Sequence, residues 1–364
     1  MIKNTACSAI ALLGSLCASA AFAQTQVTIY GIIDTGVVYT TNANAAGNSV
    51  FKVPGLTGSF PSRLGFKGNE DLGGGLQAIF TLESGFSPDT GAMGQGTRLF
   101  GRQSYVGLKN EYGTVTVGRL LNMTYMSMLK SDVLGPNIFS IGNIDTYLPN
   151  ARSDNAIGYM GTFSGVTVGA TYSFGRDSSV GPGPAGTNCA GEVAGNSTAC
   201  RQVTGLLAYD SAAFGVSTSY DLMYGNTGAT GGLSSSGNSD KRITLSGYAM
   251  LGSVKIGGGV VDRALRAATA NTDSDLYFLG ATYPFSAELV LDAQLAKLNV
   301  KGSDSAATMA ATRLTYNLSK RTAVYTSVGY MKNAGSSAIA LDAGGTVGTG
   351  LNQFGVMTGI RHTF

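Results

Sequence analysis

From about residue 25 onward, apolar and polar residues alternate with a period of two in runs of about ten, broken by Gly, Asn, Asp and Ser. In the first run Val27, Ile29, Gly31, Ile33 and Val37 share one face, while Thr28, Tyr30 and Asp34 share the other. Further on, Leu76, Ala78, Phe80 and Leu82 alternate with Gln77, Thr81 and Glu83. Successive side chains of a strand point to opposite faces, so each run predicts a strand with one apolar and one polar side. No stretch after Ala23 reaches the roughly 18 apolar residues of a membrane helix, and no helical spacing is sustained. Sixteen strands are predicted, starting near residues 25, 61, 75, 97, 113, 153, 165, 201, 214, 240, 252, 274, 286, 308, 321 and 350.

The gaps alternate between short turns, such as Asn110-Glu111-Tyr112-Gly113 and Ser164-Gly165, and long loops, such as 41–60, 123–152 and 176–200. Tight turns at one end and long loops at the other are the pattern of an outer-membrane β-barrel, which must close because hydrocarbon offers an open edge no hydrogen-bond partner. The predicted fold is all-β: a 16-stranded antiparallel transmembrane β-barrel. A secreted sandwich or solenoid would also alternate, but the last strand opposes this. Phe354, Val356, Ile360 and Phe364 share one parity, and a chain ending on an aromatic of an amphipathic strand is hard to motivate where termini normally fray.

Residues 1–23 read as a secretory signal peptide: Lys3 gives the positive start, Ile10 to Leu16 the apolar stretch, and Ala21-Phe22-Ala23 the cleavage site. Residues 24–364 are then the barrel domain. A membrane anchor is the alternative, but the segment is rich in Ala, Ser and Gly. A lipoprotein reading at Cys17 fails on the bulky Leu16 before it. Cys7 and Cys17 leave with the signal, and Cys189 and Cys200 remain in a segment rich in Gly, Pro, Asn and Ser. An even pair in an exported chain predicts a disulfide within one loop; a metal site there would have only Glu192 for company.

Composition narrows the function. Among 364 residues there are 53 Gly, 8 Pro, no Trp and 1 His, and only 12% of residues are charged. One histidine argues against imidazole-rich metal sites and histidine relays. A net charge of +3 is too small to suggest nucleic acid as a partner, and no cofactor is implied. Gly73-Gly-Gly75 lies between two strands with no following Lys-Ser/Thr, so it predicts a hairpin turn and not a phosphate loop.

The stretches Val27-Thr-Ile-Tyr-Gly-Ile-Ile-Asp34, Ser62-Arg-Leu-Gly-Phe-Lys-Gly-Asn-Glu-Asp-Leu-Gly73, Arg102-Gln-Ser-Tyr-Val-Gly-Leu108, Gly113-Thr-Val-Thr-Val-Gly-Arg119 and Gly359-Ile-Arg-His-Thr-Phe364 occur in order from one end of the chain to the other. With them the chain resembles the Gram-negative general porins, in particular the trimeric porins of β-proteobacteria. The resemblance implies a homotrimer in the bacterial outer membrane, in contact with its lipid and lipopolysaccharide, that passes ions and small hydrophilic solutes. It also implies a third loop folded into the pore and a final Phe364 read by the barrel-assembly machinery.

Parity sets Arg63 and Lys67 opposite to Leu64 and Phe66, hence toward water; it does the same for Arg102, and for Arg361 opposite to Phe364. A charge on the lipid side would cost about 2–4 kcal/mol for Arg or Lys at mid-membrane. By the resemblance, Arg63, Lys67 and Arg102 match the basic wall of the constriction and Arg152 the basic residue after the third loop, while Arg119 and Arg98 could extend the ladder. The third loop, 120–151, reads Gly135-Pro-Asn-Ile-Phe-Ser-Ile-Gly142 where related porins carry an acidic motif, so Asn137 stands near the acid's place and only Asp132 and Asp145 remain as loop acids. An excess of cations at the constriction predicts a weak to moderate preference for anions. Other readings are a solute-specific channel lined by Tyr125, Phe139 and Tyr147, an outer-membrane hydrolase using inward carboxylates such as Asp34 and Glu83, and an adhesin. The single histidine, His362, shares parity with Ile360 and Phe364, which places it at the lipid interface and away from any catalytic relay.

Overall fold

The computed structural model describes residues 26–179 and 186–364; the predicted signal at 1–23 lies outside the described residues. All its strands belong to one antiparallel sheet. The wall strands are β1 (Gln26–Thr40), β3 (Arg63–Gly73), β4 (Leu76–Gly85), β5 (Gln103–Asn110), β6 (Gly113–Leu121), β7 (Arg152–Phe163), β8 (Val166–Ser173) and β9 (Gln202–Asp210), then β10 (Phe214–Tyr224), β11 (Ser239–Leu251), β12 (Val254–Arg266), β13 (Asn271–Pro284), β14 (Leu289–Val300), β15 (Ala306–Asn317), β16 (Thr322–Ala334) and β17 (Gln353–Thr363). The remaining strand, β2 (Val50–Lys52), is a three-residue ribbon in the first long loop that pairs with Val38 to Thr40. Sixteen wall strands are therefore present, as the alternation predicts.

Closure falls on β1. Its first half pairs with β3, from Gln26 opposite Asn69 to Ile32 opposite Arg63, and its second half pairs with β17, from Ile32 opposite Thr363 to Thr40 opposite Gly355. The last residue takes part, because Gly31 and Phe364 exchange backbone hydrogen bonds of 3.1 Å. The β3–β4 hairpin turns on Gly73, Gly74 and Gly75, all with φ between 60° and 84°, a region that favours glycine. Strand β3 continues through Glu70 and Asp71 to reach that turn, beyond the predicted boundary.

One predicted start is displaced. The strand expected near residue 97 begins at Gln103. Gln95 and Thr97 hold φ of 49° and 62°, and Arg98 is drawn to Asp154 (3.0 Å) and Asp177 (2.8 Å), which keeps 94–102 out of the ladder. Arg98 thus opens no strand.

The outer wall carries the apolar parity: Val27, Ile29, Val37, Val106, Leu245, Leu279 and Leu295 are exposed. Aromatic pairs mark both rims, Tyr39–Phe51 and Tyr172–Phe174 at the long-loop end, and Tyr209–Phe214 and Tyr283–Phe285 at the short-turn end. Such girdles bracket the hydrocarbon band of a membrane barrel. The packed core lies inside the barrel, where Leu134, Ile138, Phe139, Ile141 and Tyr147 of the third loop meet Met309, Met331, Leu341 and Met357.

Cys189 and Cys200 are bonded to each other, with Cα atoms 5.2 Å apart, and both are buried. In the chain-entropy account a bridge of this span contributes about 3 kcal/mol. The double substitution Cys189→Ser, Cys200→Ser is expected to speed proteolytic cleavage within residues 187–200 and to leave conductance unchanged. A conductance change would show that this loop reaches the pore.

Candidate functional site: a lumen narrowed by the third loop

The third loop joins Leu121 to Arg152. Its first turn is a short helix, Met123–Met128, capped by Asn122, whose side chain accepts from the amides of Thr124 and Tyr125. Serines and threonines on the lumen side of β10 and β11 hold that helix. The Ser127 hydroxyl lies 3.1 Å from that of Ser219 and 2.8 Å from that of Thr244, and Ser246 donates to the Ser127 carbonyl at 2.8 Å. The loop then follows the inner wall past β12 to β17. At Gly257 a Cβ would lie 2.3 Å from the Ser131 carbonyl oxygen, and at Gly355 one would lie 2.8 Å from the Phe139 ring. Close approach of loop backbone to wall accounts for Gly257 within β12, while at Gly258 and Gly259 the nearest atoms to a Cβ belong to the flanking strands β11 and β13.

On its return the loop is fixed again to β9, β10 and β11. Tyr147 donates to Asp221, Gln202 donates to the same carboxylate at 2.7 Å, and Thr124 donates to it at 2.8 Å, so one acid on β10 secures both ends of the loop. Arg242 donates two hydrogen bonds to Asp145, at 2.8 and 3.1 Å, from a fully buried position over the Tyr147 ring. Burial alone would raise the Asp145 carboxyl, but Arg242, with Arg263 behind it, outweighs that and holds it below the ordinary carboxylate range.

This placement corrects the expectation that Asp132 and Asp145 line the constriction opposite the arginines. Asp145 is spent on Arg242, and Asp132 accepts from Gln294 of β14 at 2.8 Å and from the Gly135 amide at 3.1 Å. Both acids turn to the wall behind the loop. Asn137, at the place of the missing acid, is buried and caps the local turn, accepting from the Phe139 amide at 2.8 Å. Phe139 and Tyr147 are likewise fully buried, so of the three aromatics that could line a solute path only Tyr125 is partly open.

The basic wall is brought together in part. Arg102 pairs with Glu83 of β4 at 2.7 Å, and Arg63 approaches the same carboxylate at 3.6 Å, with Tyr30 donating to it at 3.0 Å. Arg152 donates to the carbonyls of Arg102 and Pro149, each at 2.9 Å, and has no carboxylate partner among the described residues. Arg63, Arg102 and Arg152 against Glu83 give three cations and one anion, a local charge of +2. Arg63, at 23% side-chain exposure, is the most open of the three, against 7% for Arg102.

Two predicted members stand apart from this group. Arg119 lies on the outward parity of β6 with Val115 and Val117, opposite Ser104, and not in the lumen; there it pairs with Asp154 and donates to the Gly101 carbonyl at 2.7 Å. Lys67 is exposed, with its ammonium over the Tyr30 ring; it lies four residues along β3 from Arg63, about 13 Å at strand spacing. Arg361, inward as its parity predicts, belongs to a second inward group whose other members went unpredicted: Arg313 pairs with Asp292 at 2.8 Å, and Arg361 reaches the Ser59 hydroxyl at 3.2 Å with its guanidinium over Phe60. His362 is exposed on the outer face with Nδ1 2.9 Å from the Thr322 hydroxyl.

A closed barrel with an apolar outer wall, a polar lumen and a loop folded through that lumen defines an outer-membrane channel. The chain belongs to the Gram-negative porin family, whose model matches residues 6–336. It is 33% identical over 377 residues to outer membrane porin protein 32 of Delftia acidovorans, covering 98% of this chain and 99% of that one. It is 32% identical over 413 residues to an outer membrane porin of Bordetella pertussis, covering all of both chains. Among solved structures it matches an anion-selective porin from Comamonas acidovorans with a TM-score of 0.77 and 30% identity, over 94% of this chain and 100% of that one. An outer membrane protein of Vibrio cholerae, a loop-deletion mutant 16% identical, shares the fold with a TM-score of 0.67. The protein is a channel and not an enzyme: it resides in the outer membrane and lets ions and small hydrophilic solutes diffuse through passively.

Proposed function

We propose that this channel prefers anions, with Arg63, Arg102 and Arg152 as the basic side of its constriction and Lys67 as a further cation on the way to the periplasm. The observation that carries the reading is Arg152, a buried guanidinium held by two carbonyl oxygens with no carboxylate to neutralise it among the described residues. Glu83 offsets one of the other two arginines, and the loop acids are engaged elsewhere, so a positive field remains in a narrow, poorly screened passage. The likeness to a porin named as anion-selective supports the same direction. At close range one unit charge is worth about 1 kcal/mol even at the dielectric constant of water, roughly a fivefold bias in ion entry. Replacing Arg63 and Arg102 by Gln is expected to move the ratio of anion to cation permeability toward one, read as a smaller reversal potential in a planar bilayer; an unchanged ratio contradicts the assignment.

The same reading takes the chain as a homotrimer, exported by removal of residues 1–23, with Phe364 as the signal for the barrel-assembly machinery and with lipid and lipopolysaccharide around its outer wall. In favour stand the backbone pairing of Phe364 with Gly31 at the closing seam and the aromatic girdles. Unboiled protein on electrophoresis is expected to run as a compact species of about three chains, and a monomer-sized band would remove the trimer.

A further inference from the structure

We propose that the outer wall carries a site for a phosphate-bearing acyl lipid of the outer leaflet, of the lipid A type. Its phosphate would lie between Lys297 and Lys332, and one acyl chain would lie in the groove directly beneath. The site deepens the reading that lipopolysaccharide surrounds the barrel, and it is independent of ion preference.

Strand parity turns both lysines outward. Lys297 is two positions from Leu295, which is 60% exposed, and Lys332 is two positions from Tyr330, which is 44% exposed. Pairing sets Lys297 opposite Thr308 and Thr308 opposite Lys332, so two ammonium groups flank one hydroxyl across β14, β15 and β16, all three residues exposed. Two strand spacings separate the lysines by about 9.5 Å, a gap that long, flexible side chains close readily around one phosphate. Both positions lie near the long-loop ends of their strands, which face the cell exterior.

Several other outward charges at this rim are paired, Lys241 of β11 being an exception among the described residues. Lys301 binds Asp262 at 2.9 Å and Asp275 at 3.0 Å, and Arg266 binds Asp273 at 2.7 Å. Lys297 and Lys332 have no ion pair among the described residues, although they sit on the lipid-facing side where an unmatched charge is unfavourable. An anionic headgroup supplies the missing partner. Two residues further into the membrane the same strands present Leu295, Ala310 and Tyr330, and an open apolar groove runs below with Ala293, Thr312 and Leu279 along it. Small side chains between larger ones leave a channel on the wall of the width an acyl chain needs. Two cations above an apolar groove match a lipid with both phosphate and acyl chains; a free phosphate would use only the upper half.

The test is native mass spectrometry of the purified full-length porin in detergent, titrated with hexa-acylated, diphosphorylated lipid A and, separately, with phosphatidylethanolamine. Expected is one tightly held lipid A per chain, weakened at least tenfold both by Lys297→Gln with Lys332→Gln and by Ala310→Leu, which fills the groove without touching charge. Phosphatidylethanolamine binding should be the same for all. Conductance serves as the folding control, because these residues face away from the lumen, and Lys297→Arg with Lys332→Arg should retain lipid A. Lipid A binding at the native level in either variant overturns the site. So does loss of the oligomer in the glutamine variant with lipid A binding intact, which would make the face a contact between copies of the chain.

Discussion

Replacing Arg242 by methionine is expected to lower the temperature at which the folded barrel is lost and to make its conductance larger and noisier. The methionine roughly keeps the side chain's apolar length but leaves Asp145 buried without its cation; Asp240, 3.1 Å from Arg242, keeps Arg263 at 2.8 Å. Removing one member of a buried charge pair costs about 3–5 kcal/mol, most of it from the charge left behind. The loss falls on the returning half of the third loop, which Arg242 ties to β11, so the loop should swing from the wall and widen or flicker the passage. Loss of the fast-migrating folded band on a heating series measures the first effect and single-channel recording the second. Unaltered conductance would mean that the Asp221 hub alone holds the loop. The latch should also respond to pH in one direction. The Asp145 carboxyl is held below its ordinary range, so its contribution is fully present above the unfolded value and is lost only as pH falls through the lower folded value.

Gly257→Leu is expected to have an effect of similar kind on the outgoing half of the loop. The nearest atoms to a Cβ there, at 2.3, 3.0 and 3.2 Å, all belong to the Ser131 main chain, which cannot step aside as a flexible side chain would. Overpacking of this sort typically costs about 1–3 kcal/mol. Since β12 is fixed on both sides by neighbouring strands, the loop is what moves, so conductance should change more than the unfolding temperature. Gly205→Ala is the control, because nothing lies within 4 Å of a Cβ at that site. A native conductance for Gly257→Leu would show that the loop does not lie against β12.

Much of this architecture is legible from alternation, because in a membrane barrel one parity must meet lipid and the other water. That single constraint gave inward Arg63 and Arg361 and outward Val27, Ile29 and Phe364, and it located most strands to within a few residues; Arg102 shares parity with the outward Val106 and Leu108 and reaches Glu83 only because it lies before β5, outside the ladder. It gave no guidance where the chain leaves the ladder. The displaced start of β5 depends on Arg98 reaching Asp177, 79 positions away. The direction of Asp145 depends on Arg242, 97 positions away. Parity describes strands, and neither acid of the loop lies on one. A signal for Arg242 did exist, since its parity on β11 is inward beside Asp240, and an inward cation that late in the chain needs a partner in the lumen. The pairing of Glu83 with Arg63 and Arg102 was similarly within reach, since β4 runs antiparallel to β3 and Arg63 falls opposite Gly85, close to that carboxylate.

The net effect is a constriction whose charge is set by the wall and hardly by the loop. The most direct test is the reversal potential of the native channel in a planar bilayer under a potassium chloride gradient. The account predicts the sign of a chloride-preferring pore, whereas a potential of the potassium-preferring sign would contradict it.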